Sequence, residues 1–251
     1  FQNTGLTKIT IPKSVTIIDK EAFQYAKSLE TVIFEVGSQL DSIGQAAFQY
    51  AESLTEITIP ASVKSIETIA FNVATNLKTV TFEPGSQLKS IKSGAFNNAT
   101  SLTSIIIPAD VTEIGGNSFN KTSLTSINIP AGVTAINFHT FNNATSLETV
   151  TFEAGSQLDT IGQGAFQSAS GLTSITIPAS VTSIEANAFS ESGLTSINIP
   201  EGVTSIGENA FSSGGLTDIT VESSNTYYTA IDNVLFNKTG TILIQYPVGN
   251  N

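Results

Sequence analysis

The chain has 251 residues, 40% of them hydrophobic and only 12% charged, about half the usual share of ~25%. It lacks Cys, Met, Trp and Arg and has a single His, His139. That excludes disulfides, a Cys nucleophile, Cys-based or two-histidine metal sites, and bidentate Arg recognition of phosphate. Net charge is −11, divided as −2 over residues 1–121 and −9 over 122–251, so no nucleic-acid partner is expected.

Phe1 stands five residues before Leu6, the spacing that separates Phe119 from Leu124 and Phe189 from Leu194. Residues 1–5 therefore read as a partial unit, the tail of a preceding one. The chain opens as a processed or excised form would, with no signal peptide in view. The strand edge exposed at that end offers a route to self-association. No run of about 18 apolar residues occurs, so no membrane span is expected.

Leucines then recur at 6, 29, 54, 77, 102, 124, 147, 172, 194 and 216, and each opens a unit of 22 to 25 residues. Shorter units, such as 172–193, alternate with longer ones, such as 147–171, over 6–101 and again over 124–171. In the unit at Leu172 the apolar positions are Leu172, Ile175, Ile177, Val181, Ile184 and Phe189. The first three alternate with polar residues and predict a strand, which Pro178 ends because Pro cannot donate to a ladder. Val181-x-x-Ile184 predicts a second extended piece. The small residues before Phe189 predict a tight turn or a single helical turn.

Phe23, Phe48, Phe71, Phe96, Phe119, Phe141, Phe166, Phe189 and Phe211 occupy one position in successive units. Such a row predicts a spine of core packing. The apolar burial available to one unit falls short of the entropy lost on ordering it, so units must stack to fold.

Longer units insert two residues through Gly-Ser-Gln-Leu at 37–40, 85–88 and 155–158. Their third strand position is Phe34, Phe82 or Phe152, where the shorter units have Ile. This reads as a wider loop whose extra volume the larger ring fills. On that reading Phe152→Ala should cost about 3–5 kcal/mol. Beyond Ile219 and Val221 the pattern breaks. Two apolar runs flank Asn237-Lys238-Thr239-Gly240, which predicts a hairpin covering the last strand edge. The expected division is a repeat array over 1–221 and an irregular C-terminal capping unit over 222–251.

The pattern L-x-x-I-x-I-P-x-x-V-x-x-I-x-x-x-A-F, carried by 172–189 and recurring over 6–215, resembles the leucine-rich repeats of the BspA-like family. The segment Asn225…Tyr228…Asp232-Asn233-Val234-Leu235-Phe236-Asn237-Lys238…Leu243-Ile244…Tyr246-Pro247 is similar to that family's irregular unit. The resemblance implies an α/β repeat solenoid, mostly β: a right-handed leucine-rich-repeat arc with a parallel concave sheet and short turns, or 3-10 or helical turns, on the other side. It also implies an extracellular or cell-surface location and, by example, adhesion to host matrix proteins or cells. The family often has Cys three residues after the Phe. This chain has Ala26, Ala51, Ala74, Ala99, Ala144 and Ala169 there. The family has no shared catalytic motif, so no functional residue carries over.

Candidate binding residues are those that point outward between the inward strand positions. One row is Thr10, Ile33, Thr58, Thr81, Ile106, Asn128, Thr151, Thr176, Asn198 and Thr220; the second includes Ser104, Ser126, Thr149 and Ser174. Stacked about 4.8 Å apart, these strands would form a platform of about 45 Å. The expected function is a non-catalytic protein-protein interaction module of a surface or secreted protein, with a host or extracellular-matrix protein as partner. A glycan-binding face and a passive spacer are the alternatives. His139 has no sequence partner that would make it a general base, and no metal or cofactor is expected. Sequons stand at Asn98, Asn120, Asn143 and Asn237.

Overall fold

The computed structural model describes residues 1–247. Residues 248–251, the end of the expected capping unit, lie outside the described residues. Each repeat unit is one coil with three hydrogen-bonded sides, and the coils stack in parallel to make a solenoid.

The first side is the strand that follows the unit's leucine. Four-residue strands cover Lys8–Ile11, Thr31–Phe34, Glu56–Ile59, Thr79–Phe82, Ser126–Ile129, Thr149–Phe152, Ser196–Ile199 and Asp218–Val221. On this side of the unit at Leu102 the strand is reduced to Ser104–Ile105. Burial alternates as the sequence pattern requires, with Glu56 and Thr58 exposed and Ile57 and Ile59 buried. Register joins equivalent positions, so Glu56 faces Thr79 and Ile59 faces Phe82.

The second side is the Val-x-x-Ile segment, reduced to a two-residue strand. These short strands pair in two runs, from Ile17–Ile18 to Glu113–Ile114 and from Ala135–Ile136 to Ser205–Ile206.

The third side surrounds the Phe, and of the two expected alternatives, tight turns and helical turns, it takes the first, as a ribbon of consecutive β-turns. Among the described residues there is no α-helix and no 3-10 helix. The cause is visible around Phe48. Ala46 and Tyr50 adopt left-handed backbone, with φ of 54° and 61°. Each left-handed residue reverses the peptide orientation that a helix would continue. Alternate N–H groups then serve two directions. Those of Ala47, Gln49 and Ala51 bond back to Gly44, Ala46 and Phe48 in the same unit. Those of Ala46, Phe48 and Tyr50 bond forward to Thr68, Ala70 and Asn72 of the next unit, at 2.8–3.0 Å. The ribbon is thus a third inter-unit ladder, which a helix would forgo by directing its N–H groups along its own axis.

The Phe rings form the expected spine. From Phe1 to Phe211, successive ring centroids are 5.1–5.8 Å apart and the planes lie within 4–11° of parallel. This is offset stacking, and the rings from Phe23 onward are buried.

The strand phenylalanines depart from expectation. Phe34, Phe82 and Phe152 are only half-buried at the margin of the core, whereas Ile59, Ile129 and Ile199 are fully buried in the equivalent place. Volume beneath the wider loop is taken by Leu40, Leu88 and Leu158, which are fully buried. Phe152 fills no interior void, so its truncation leaves a shallow notch in place of a cavity.

Beyond the array, the single expected hairpin is two. Tyr228–Ile231, Val234–Asn237 and Leu243–Gln245 form a three-stranded antiparallel sheet. The first reversal is at Asp232-Asn233, with φ of 50° and 65°, the left-handed pair of a type I′ turn. The second runs through Lys238–Gly240, held by the Asn237 side-chain oxygen accepting from the Thr241 and Ile242 amides. Buried Asn225 docks this sheet on the last full unit. Its Nδ2 donates to the carbonyls of Pro200 and Val203, and its Oδ1 accepts from the amides of Tyr227 and Tyr228.

Candidate binding face

Every sequence-predicted face residue is exposed: Thr58, Thr81, Ile106, Asn128, Thr151, Thr176, Asn198, Ser104, Ser126, Thr149 and Ser174. The structure does not make them one continuous ladder. Some are joined across units by side-chain hydrogen bonds, as in Thr58–Thr81 at 2.9 Å, Thr151 to Asn128 at 2.9 Å and Thr220 to Asn198 at 2.9 Å. Others, including Thr176 and Ile106, stand where neighbouring strands part.

What decides between joining and parting is the residue after each strand. Four-residue pairing occurs at the steps into Thr31–Phe34, Thr79–Phe82, Thr149–Phe152 and Asp218–Val221. Each of these strands is followed by Glu: Glu35, Glu83, Glu153 or Glu222. The Glu backbone N–H donates to the carbonyl of Ile11, Ile59, Ile129 or Ile199 in the preceding unit, at 3.0–3.1 Å. Its carboxylate accepts the backbone N–H of Lys13, Ala61, Ala131 or Glu201, at 2.9–3.2 Å. Between each carbonyl and amide lies a proline, Pro12, Pro60, Pro130 or Pro200, which has no N–H. The Glu clamps both flanks of the proline and carries the ladder past it.

Steps into strands followed by Pro lack this clamp. Pro60, Pro108, Pro130, Pro178 and Pro200 stand where Glu would supply a backbone donor, and three of these steps, at Pro60, Pro108 and Pro178, leave a longer unit. From the unit at Leu29 to that at Leu54 the strands that follow the leucines, Thr31–Phe34 and Glu56–Ile59, do not pair. From Leu77 to Leu102 the pairing on this side is cut to two residues, Thr79–Val80 with Ser104–Ile105. In the unit at Leu172 no strand follows the leucine on this side, so Thr149–Phe152 has no partner strand there.

A groove opens at each of these three steps, and each step leaves a longer unit. The groove between the units at Leu77 and Leu102 has a volume of about 750 Å³ and is lined in part by Thr81, Phe82, Glu83, Ser104, Ile106 and Pro108. That between Leu147 and Leu172, about 500 Å³, includes Thr151, Phe152, Glu153, Thr176 and Pro178. That between Leu29 and Leu54, about 450 Å³, includes Glu30, Ile33, Phe34, Glu56, Thr58 and Glu83. The half-buried strand phenylalanines therefore serve as groove walls.

No lysine lines any of the three grooves. Asp110, on the rim of the first, is paired with Lys89 at 2.7 Å, and that ammonium holds its carboxyl below the usual range. On the turn side, Lys27 pairs with Glu52, whose hydrogen bond and charge raise the lysine above its usual value.

The turn side also carries a ladder that the sequence reading missed. The residue after each spine Phe is an amide from Gln2 to Gln167. Side-chain bonds join Gln2 to Gln24, Gln24 to Gln49, Asn97 to Asn72, Asn120 to Asn97 and Asn142 to Gln167, at 2.6–3.2 Å. Asn120, one of the sequon residues, is engaged in this ladder. The signal was present as a run of Gln and Asn beside the Phe row. His139 is half-buried on the same side with its ring edge-on to Phe138 at 5.8 Å. Among the described residues no group of three His, Asp or Glu side chains could hold a metal ion, and no helix is long and apolar enough to cross a membrane.

The family model for the BspA type leucine rich repeat region matches residues 1–123 and 112–242. Among solved structures, a leucine rich cell surface protein from Faecalibacterium prausnitzii is 34% identical with a TM-score of 0.63; the match covers 96% of this chain and 55% of that one. The pneumococcal vaccine antigen PcpA is 28% identical with a TM-score of 0.58, over 88% of this chain and 63% of that one. A leucine-rich repeat protein from Eubacterium ventriosum, 23% identical with a TM-score of 0.59 over 86% of this chain and 68% of that one, shares the fold. The chain thus spans less than two thirds of the length of the first two relatives. No curated protein matches it.

Proposed function

The chain belongs to the BspA-type leucine-rich repeat family, and from that premise we propose that it is a non-catalytic protein-binding module of a cell-surface or secreted protein, acting through its strand face. The observation that carries this reading is the face itself. Thr58, Thr81, Asn128, Thr151 and Asn198 are exposed on strands whose alternate residues are locked in the core, and Thr176 is exposed at the equivalent position of its unit. A rigid scaffold with short polar side chains costs little entropy when a partner covers it. Repeat solenoids commonly bind through such extended surfaces. The descriptions of two relatives, one a cell surface protein and the other a vaccine antigen, support the location.

The test is capture of extracellular-matrix and cell-surface proteins by the immobilised chain, set beside Asn128→Lys with Thr151→Lys. Those two exposed changes should weaken any captured protein by about tenfold or more through steric and charge mismatch on the face. Capture that is unchanged by them, or absent from the whole panel, removes the reading. Binding confined to a glycan array would transfer the face to the glycan alternative.

A further inference from the structure

Two isoleucines interrupt the Thr and Asn row of the strand face: Ile33, 39% exposed, and Ile106, 87% exposed. Both line grooves, Ile33 beside Phe34 and Ile106 beside Phe82. An apolar side chain as exposed as Ile106 gains most from being covered. The charged residues of the Leu29–Leu54 groove are Glu30, Glu56 and Glu83, all acidic and none in an ion pair among the described residues. Glu83 lines both grooves. The two grooves are two units apart, about 10 Å at the spacing of stacked strands. A polyproline-II segment returns to the same face every third residue, after about 9.3 Å. The two distances match.

We propose that these two grooves together dock an extended cationic segment of a protein partner. Apolar side chains three residues apart seat against Ile33–Phe34 and Phe82–Ile106, and a Lys or Arg between them faces Glu83. This rests on the strand face being a protein-binding surface, and it specifies the chemistry of what binds. Pro60 and Pro108 make the site. Each withholds the N–H that would close the strands, and the open step exposes the strand phenylalanine as a wall.

The test uses the full chain and labelled peptides read by fluorescence anisotropy. The probe has Leu at every third position with Lys-Pro between; one control replaces Leu by Ser and another replaces Lys by Glu. The probe should bind and both controls should bind at least about tenfold more weakly, as separate apolar and charge contributions require. Ile33→Ser with Ile106→Ser, both at exposed positions, should weaken the probe about tenfold with no change in thermal unfolding. Glu83→Gln should flatten the salt dependence of binding. Equal binding of the Ser control, or an unchanged dissociation constant in the double Ile variant, overturns the proposal. If a captured partner protein responds to Asn128→Lys and Thr151→Lys but not to the Ile variants, the face reading stands and the groove proposal falls.

Discussion

The Glu83 carboxylate accepts the backbone N–H of Ala61 at 3.0 Å, while the N–H of Glu83 itself reaches the Ile59 carbonyl at 3.0 Å. The two bonds straddle Pro60. Removing the side chain leaves the Ala61 amide without its partner. Glu83→Ala should therefore lower stability by about 1 kcal/mol. Glu83→Gln, which keeps an acceptor oxygen, should lose less. Amide hydrogen exchange at Ala61 is the direct readout, and unchanged protection in Glu83→Ala would remove the clamp from the account.

The two classes of phenylalanine should respond differently to truncation. Phe96 is fully buried in the spine and Phe152 is half-buried on a groove wall. Phe96→Ala should cost about 3–5 kcal/mol, because neighbours stacked on both sides cannot collapse into the void. Phe152→Ala should cost about 1–2 kcal/mol, since water can enter the notch it leaves. Urea unfolding of both variants decides. Equal losses would return Phe152 to the core.

Val73 occupies a left-handed position with φ of 60°, where Asn98 and Asn143 stand in sister units at 56° and 55°. A β-branched residue pays roughly 1–2 kcal/mol for that backbone, and Asn tolerates it better. Val73→Asn should raise the melting temperature by about 2–4 °C. A fall would mean that the packing of the half-buried valine outweighs its strain.

Tyr228 ties the C-terminal sheet to the array, with its hydroxyl oxygen accepting the Ile206 amide at 3.0 Å. Burial raises its phenol above the usual 10.0, and the Ile206 N–H opposes that shift more weakly. A raised folded value means the neutral phenol is the form the fold favours. Its contribution is complete below the ordinary phenol range and is lost as pH climbs through the folded value. Ultraviolet titration should show one of the five tyrosines ionising late, and Tyr228→Phe should abolish that late step. A single common titration in the unaltered chain would contradict this.

Much of the fold was legible because the repeat displays each structural row many times. The leucine, isoleucine and phenylalanine rows predicted strand, second extended piece and spine, and the structure buries them together. The Glu and Pro that follow the strands were equally visible as letters. Their meaning was hidden, because Pro60 withholds its donor from a carbonyl in the preceding unit, and Glu83 reaches an amide 22 residues earlier. The choice between tight and helical turns stayed open for a related reason. Ala46 and Tyr50 carry no sequence mark of left-handed backbone, as glycine would. Asp232-Asn233 did carry such a mark, but the apolar residues on both sides read as one run.

The sequence by itself determined the stacking: period, alternation and the Phe row leave a coil no way to bury its apolar residues except against its neighbours. It also determined which side chains face outward on the strands, since the pleat alternates every residue. Only the tertiary structure decided which neighbouring strands close and which part. That choice depends on whether the residue beyond a strand presents an N–H to a carbonyl of another unit, and donor and acceptor meet only once the coils are stacked. The grooves are the places where they fail to meet.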